Sequence, residues 1–189
     1  MSKVQDIKKS SLTFAPEAGS QRMRDVINKG LTEEIILEGA GQAFEGGWNK
    51  VKLYFMLGLP TETEEDMKAI AHLAEKVARR YYEIPKEQRN GKCQITASSS
   101  FFVPKPFSPL QWATMQPMEE YIRRAGIVQE AFRNQLNRKS LRYNWHTAEV
   151  TVLEGVFARG DRKVGKVLEE AYRLGCIYDA WDEYFDYDK

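Results

Sequence analysis

Residues 50–60 read Lys50-Val51-Lys52-Leu53-Tyr54-Phe55-Met56-Leu57-Gly58-Leu59-Pro60, and this stretch decides the fold class. The odd positions Val51, Leu53, Phe55 and Leu57 are large and apolar, while Lys52, Tyr54 and Met56 share the opposite face. That is the two-residue period of a β-strand. Both faces read as covered, as in parallel sheets packed on both sides. Gly58-Leu59-Pro60 turns the chain, and Thr63 with Asp66 three residues on forms a capping-box-like helix start. Beyond it Met67, Ile70, Ala71, Ala74, Val77 and Ala78 make one stripe, and Lys68, Glu75, Lys76 and Arg79 the other, as an amphipathic helix requires.

The same alternation extends outward from this unit. Leu12 to Phe14 is a short apolar strand whose loop, Pro16-Glu17-Ala18-Gly19-Ser20, opens into a helix over Gln21 to Lys29. Gly30 ends that helix. Thr32, Glu33 and Glu34 start another, which carries Ile36, Ala40, Ala43 and Phe44 inward until Gly46-Gly47. On the other side, Gln94 to Phe102 predicts a third strand, rich in small residues. Phe14 to Lys50 is a step of 36 positions and Leu57 to Gln94 one of 37, a cadence suited to repeated βα units with right-handed crossovers. The fold class is therefore α/β with about three parallel strands.

After Phe102 comes a proline-rich passage to Pro109, then a helix over Met118 to Leu136 with Tyr121, Ile122, Ala125, Val128 and Phe132 inward. A basic stretch follows, Arg133, Arg138, Lys139 and Arg142, and then Trp145 and His146. Two helical segments, around Ala148 to Phe157 and Lys163 to Leu174, precede an acidic, aromatic tail from Tyr178 to Tyr187. A boundary near Gln116 divides a βα segment, 1–116, from a mainly helical extension, 117–189.

The 189 residues are 42% apolar, enough for a core, and 28 Lys and Arg against 27 Asp and Glu leave +1. Such balance gives no global attraction to nucleic acid or anionic membrane. No apolar run approaches the roughly 20 residues that span a bilayer, so the chain reads as soluble and cytoplasmic. Cys93 and Cys176 are 83 positions apart, which excludes a disulfide scaffold and any zinc or iron-sulfur site made of this chain's thiolates alone. Gly39-Ala40-Gly41 lacks the preceding strand and third glycine of a dinucleotide fingerprint, and Gly58 begins no phosphate-binding loop. Ser98 to Ser100 lack a hydrolase elbow. His72 falls on the charged side of its helix, and a lone His146 reads as structural. Arg133 to Arg142, with Tyr143 and Trp145, reads either as a solvated helix end or as a contact for RNA phosphates and bases.

Three strand ends stand out: Ala15-Pro16-Glu17-Ala18-Gly19-Ser20, Met56-Leu57-Gly58-Leu59-Pro60 and Phe101-Phe102-Val103-Pro104. Ligands of parallel α/β barrels gather at such carboxyl ends, and glycine, proline and small residues allow close backbone approach. Leu12 to Met23 with Ile27-Asn28-Lys29-Gly30, followed by Leu53 to Asp66, resembles the second half of a radical S-adenosylmethionine domain. Phe102-Val103-Pro104-Lys105-Pro106-Phe107-Ser108-Pro109 resembles the sixth-strand signature of the elongator and methylthiotransferase branch. With Asn144-Trp145-His146 and the Gly160-Asp161-Arg162 region, the chain looks most like cobalamin-domain-containing radical proteins of unassigned substrate.

The resemblance implies half of a (β/α)6 partial TIM-type barrel that uses S-adenosylmethionine, with a 4Fe-4S cluster on a CxxxCxxC loop in a preceding amino-terminal half. It implies generation of a 5′-deoxyadenosyl radical, with cobalamin-assisted methyl or related group transfer in the whole protein. This chain, lacking the cluster cysteines, is expected to be inactive alone. Carried over by position, Glu17 holds the methionine amino group or ribose and Lys29 the methionine carboxylate. Lys29 stands where many relatives have arginine, keeping the charge but not the bidentate fork. Tyr54 stands where relatives often have an aspartate near the ribose. Met56 faces adenine, and Phe102 and Val103 supply an apolar wall and main-chain groups beside it. The implied partners are the preceding half of the same protein and, as an alternative, RNA. An open barrel edge at Leu12 to Phe14 favours homo-oligomers of the chain by itself.

Overall fold

Four strands line up in chain order. In the computed structural model, which describes residues 11–178 and 183–187, β1 (Leu12–Glu17), β2 (Lys50–Leu57), β3 (Gln94–Phe101) and β4 (Leu141–Trp145) form one parallel sheet ordered β1-β2-β3-β4. The connecting helices are α1 (Gln21–Val26), α2 (Glu33–Glu45), α3 (Glu64–Glu83) and α4 (Met118–Arg133), and α5 (Ala148–Arg159) and α6 (Val164–Arg173) follow β4. The first ten residues of the expected 1–116 segment lie outside the described residues, as do 179–182 of the acidic tail.

The fold is α/β as expected, but the sheet has four strands rather than about three. β4 runs through the stretch read as basic: Leu141, Tyr143 and Trp145 turn toward the helices, and Arg142 and Asn144 turn away. The position expected as a boundary, Gln116, falls in the loop between β3 and α4, and the sheet continues past it. The helix beginning at Met118 stops at Arg133 rather than Leu136, and Ile122 projects into solvent instead of inward. Glu75, placed on the solvated side of α3 by its charge, is buried. Its carboxylate accepts hydrogen bonds from Asn137 N (3.0 Å) and Nδ2 (2.7 Å).

One face of the sheet carries the core. Val51, Leu53, Phe55 and Leu57 pack with Ile36, Ala40 and Phe44 of α2, the Met67–Ala78 stripe of α3, and Tyr121, Ala125 and Val128 of α4. The opposite face departs from expectation: Lys52, Tyr54, Arg142 and Asn144 are exposed, and no helix covers them among the described residues. The reason lies in its composition. Apart from Met56 and Tyr54, this side offers mostly Thr13, Thr96, Ser98, Ser100 and charged groups, which favour water over an apolar layer. Among the described residues β1 pairs with β2 alone, so its other edge has no strand partner.

Candidate functional site

The carboxyl ends of the strands are held by a second, small apolar cluster of Ala18, Met23, Leu59 and Phe102, with Ile27, Met56 and Leu110 against it. Each loop after β1, β2 and β3 contributes to it. Gly19 makes this possible, because a Cβ there would lie 2.3 Å from Ile70 N and 2.8 Å from Asp66 O on the backbone of α3. The fully buried Arg24 braces the same loop, donating from Nη1 to the carbonyls of Ala18 and Gly19 at 3.0 Å each. Asp66 ties the loop to α3. It accepts from Ser20 Oγ, the Arg22 guanidinium, and Thr63 N (2.9 Å) and Oγ1 (2.8 Å), completing the expected capping box. Burial alone would push its carboxyl up. The donors from Arg22, Ser20 and Thr63 outweigh that and hold it well below the ordinary aspartate range.

Above this floor opens a cleft of about 670 Å³, within the size range of small-molecule sites. The β1–β2 pairing slips between Phe14 and Glu17, and Glu17 ends the strand at φ +66°. A glutamate in the left-handed region is strained, and such strain concentrates at functional sites. The helix expected to run to Lys29 ends at Val26, because Asn28 takes φ +52° as a left-handed terminator. That turn returns Lys29 over β1, where its Nζ lies 3.2 Å from Glu17 Oε1.

Met56, from β2, and Phe102 and Val103, just beyond β3, also line the cleft. The Phe102 main chain is committed, its N–H to Leu57 O at 2.8 Å and its carbonyl to the Tyr121 hydroxyl at 2.5 Å. Val103 is 8% exposed and makes no main-chain hydrogen bond among the described residues.

Five of the six residues expected from the sequence, Glu17, Lys29, Met56, Phe102 and Val103, thus meet in one cleft. Tyr54 does not. It lies one sheet row lower, 41% exposed on the uncovered face, opposite Ser98. Sequence reasoning passed over Ser100, Lys105, His146 and Glu154, which complete the walls. Lys105 pairs with Glu154 at 2.7 Å, and the His146 N–H donates to Ser99 O at 3.0 Å. His146 had one legible signal: it follows a strand directly, where side chains reach a carboxyl-end site.

The basic stretch is divided by the sheet. Arg133, Arg138 and Lys139 border a groove on the helix side, Arg142 lies on the opposite face, and Tyr143 is stacked on Phe132 with ring centroids 5.1 Å apart. A larger hollow, about 1050 Å³, lies between α5, α6 and the tail. It is lined by Leu153, Phe157, Leu168 and Leu174 with Glu154, Lys166 and Glu170 at its walls, but it lies away from the strand carboxyl ends, where parallel α/β folds gather their ligands, so the cleft is the better chemical candidate.

Among the described residues no three His, Cys, Asp or Glu side chains come together as a metal would require. Cys93 is buried beside Ser140, and burial pushes its thiol up to about 12, so it is no thiolate near neutrality. Alkylation of the native chain at mildly alkaline pH is expected to modify Cys176 and spare Cys93 until denaturant is added. Peptide mapping showing rapid native labelling of Cys93 would contradict that burial.

No family model and no solved structure matches the chain. It is similar to the uncharacterized protein MJ0966 of Methanocaldococcus jannaschii, 31% identical over 163 residues, which are 86% of this chain and 33% of that protein. The match therefore spans about a third of its relative's length. No helix among the described residues is long and apolar enough to cross a membrane.

Proposed function

We propose that this chain is the carboxyl-terminal part of a radical S-adenosylmethionine domain, half of a (β/α)6 partial barrel, and that its cleft holds the amino-acid and nucleoside ends of the sulfonium. The observation that carries the reading is convergence. Residues 17, 29, 56, 102 and 103, from separate segments, line a single cleft with Glu17 held in a strained conformation.

Their chemistry fits a zwitterion attached to a planar base. The Glu17 carboxylate accepts the ligand's ammonium and Lys29 donates to its carboxylate, so the protein's own ion pair opens as the ligand's two charges replace it. Each of the two part-exposed charges keeps a partner through the exchange. Met56 and the Phe102 ring form the apolar slot, and the unpaired main chain of Val103 offers a donor and an acceptor to the adenine edge. Bound and reduced, S-adenosylmethionine would supply the radical chemistry; these side chains orient it and exclude water. This chain's residues do not suit the 4Fe-4S cluster, whose ligands belong to a preceding segment of the same protein. The free edge of β1 is where that segment's strands would add, and in the chain alone the same edge favours self-association. Cobalamin-assisted methyl transfer, or a related group transfer, is the reaction class proposed for the whole protein, in the cytoplasm.

Two measurements test this. The upstream reading frame is expected to encode CxxxCxxC some 100 to 150 residues before Ser11, on the rough scale of three βα units. Titration of the chain with S-adenosylhomocysteine is expected to shift the Met56 methyl and Val103 amide resonances. Glu17→Gly should abolish that response while stabilising the fold by about 1 kcal/mol, through relief of the left-handed strain. A response that survives both Glu17→Gly and Lys29→Met, or the absence of a cysteine motif, would overturn the reading.

A further inference from the structure

The uncovered sheet face is the least accounted for part of the molecule. Its rows follow from the strand register. Thr13, Lys52, Thr96 and Arg142 lie side by side across β1 to β4, and Tyr54, Ser98 and Asn144 form the next row. Ser98 Oγ donates to Asn144 Oδ1. Lys52 and Arg142 are exposed and have no ion-pair partner among the described residues. The carboxylate on this side of the four strands is Glu17, already engaged by Lys29. The face therefore presents three uncompensated cations, Lys50, Lys52 and Arg142, of which the last two flank a threonine hydroxyl.

Composition selects what covers such a face. A second protein layer over a parallel sheet would require an apolar surface, whereas this one offers hydroxyls, amides, a phenol and three cations. Lys52 and Arg142 stand two strand spacings apart, roughly 10 Å, close enough for two long side chains to converge above Thr96. Two cations and a hydroxyl match a phosphate dianion, whereas a single carboxylate would be held by one arginine.

We propose that Lys52, Thr96 and Arg142 bind the phosphate of a small phosphorylated ligand that lies along this face. The Lys52 row is four residues from the Met56 row, roughly 13 Å along the strands. A ligand anchored there extends past Tyr54, Ser98 and Asn144 toward the cleft. Where the cleft holds a sulfonium as proposed above, the anchored molecule is the substrate and its reacting end lies at the strand carboxyl ends. The anion site itself stands independently of that reading.

The test is titration of the full chain with inorganic pyrophosphate, following amide resonances. Saturable shifts are expected at Thr96, Ser98 and Asn144. Lys52→Met combined with Arg142→Met should weaken them at least about tenfold with unchanged thermal stability, since both side chains are exposed. Lys86→Met, at an exposed lysine outside both the cleft and this face, should leave them intact. No saturable shift, or shifts centred on Arg133, Arg138 and Lys139, would overturn the proposal. So would tighter binding of a single-stranded RNA lacking terminal phosphates, with a steep salt slope, because that marks a polymer rather than a small ligand. The S-adenosylhomocysteine response is read at Met56, a different row, so failure of one site is distinguishable from failure of the other.

Discussion

Gly19→Ala is expected to lower the urea midpoint by the equivalent of about 3 kcal/mol, the upper end of overpacking costs. The added methyl would meet backbone, not a flexible side-chain end: Ile70 N at 2.3 Å, Ala69 C at 2.7 Å and Asp66 O at 2.8 Å. No rotamer change relieves such a contact, so either the loop after β1 or α3 must move. Both choices disturb the small cluster under the cleft, and the variant should lose S-adenosylhomocysteine binding together with stability. Gly126→Ala is the control. It lies in α4 with no atom within 4 Å of its added Cβ, and helix propensity alone predicts stabilisation by about 1 kcal/mol. Equal midpoints for wild type and Gly19→Ala would show that the loop does not rest on α3 as described.

Asp66→Ala is expected to cost about 3 kcal/mol by removing a helix cap together with a buried, charge-assisted set of hydrogen bonds. Only the Asp66 end is buried; the Arg22 side chain is 49% exposed, which keeps the cost below that of a fully enclosed pair. The pH dependence has a definite sign. A carboxyl held below its unfolded value near 3.8 contributes stability that is complete above that value and is lost as pH falls toward its folded value. Acid titration of the wild type should therefore show a loss of stability beginning below about pH 4, and Asp66→Asn should flatten it. An unaltered acid limb in Asp66→Asn would remove Asp66 from the account.

Strands β1 to β3 and helices α2 and α3 were legible because their apolar periods are clean and their starts carry Thr32 or Thr63 as caps. β4 was missed for a physical reason. In Leu141-Arg142-Tyr143-Asn144-Trp145 the alternation is present, but five residues beside Arg138 and Lys139 read first as charge. Glu75 and Arg24 show the other limit. Each is buried by partners distant in sequence or folded back from a loop, Asn137 in one case and the carbonyls of Ala18 and Gly19 in the other, and no local pattern announces that. Within the cleft, Glu17, Lys29, Met56, Phe102 and Val103 came from resemblance at strand ends. The Glu17–Lys29 pair needed the left-handed turn at Asn28, which a helical period extended to Lys29 concealed. The exposed side of the sheet was misjudged because Tyr54 and Met56 made it look drier than its neighbours on β3 and β4 leave it.

Strands laid down in strict chain order have a consequence for how such a protein changes length over evolutionary time. Among the described residues no strand is threaded between two others, so a unit of 36 or 37 positions can be gained or lost at either margin without rerouting the remainder. Homologues should accordingly differ by whole modules at their borders, while the interior register stays fixed.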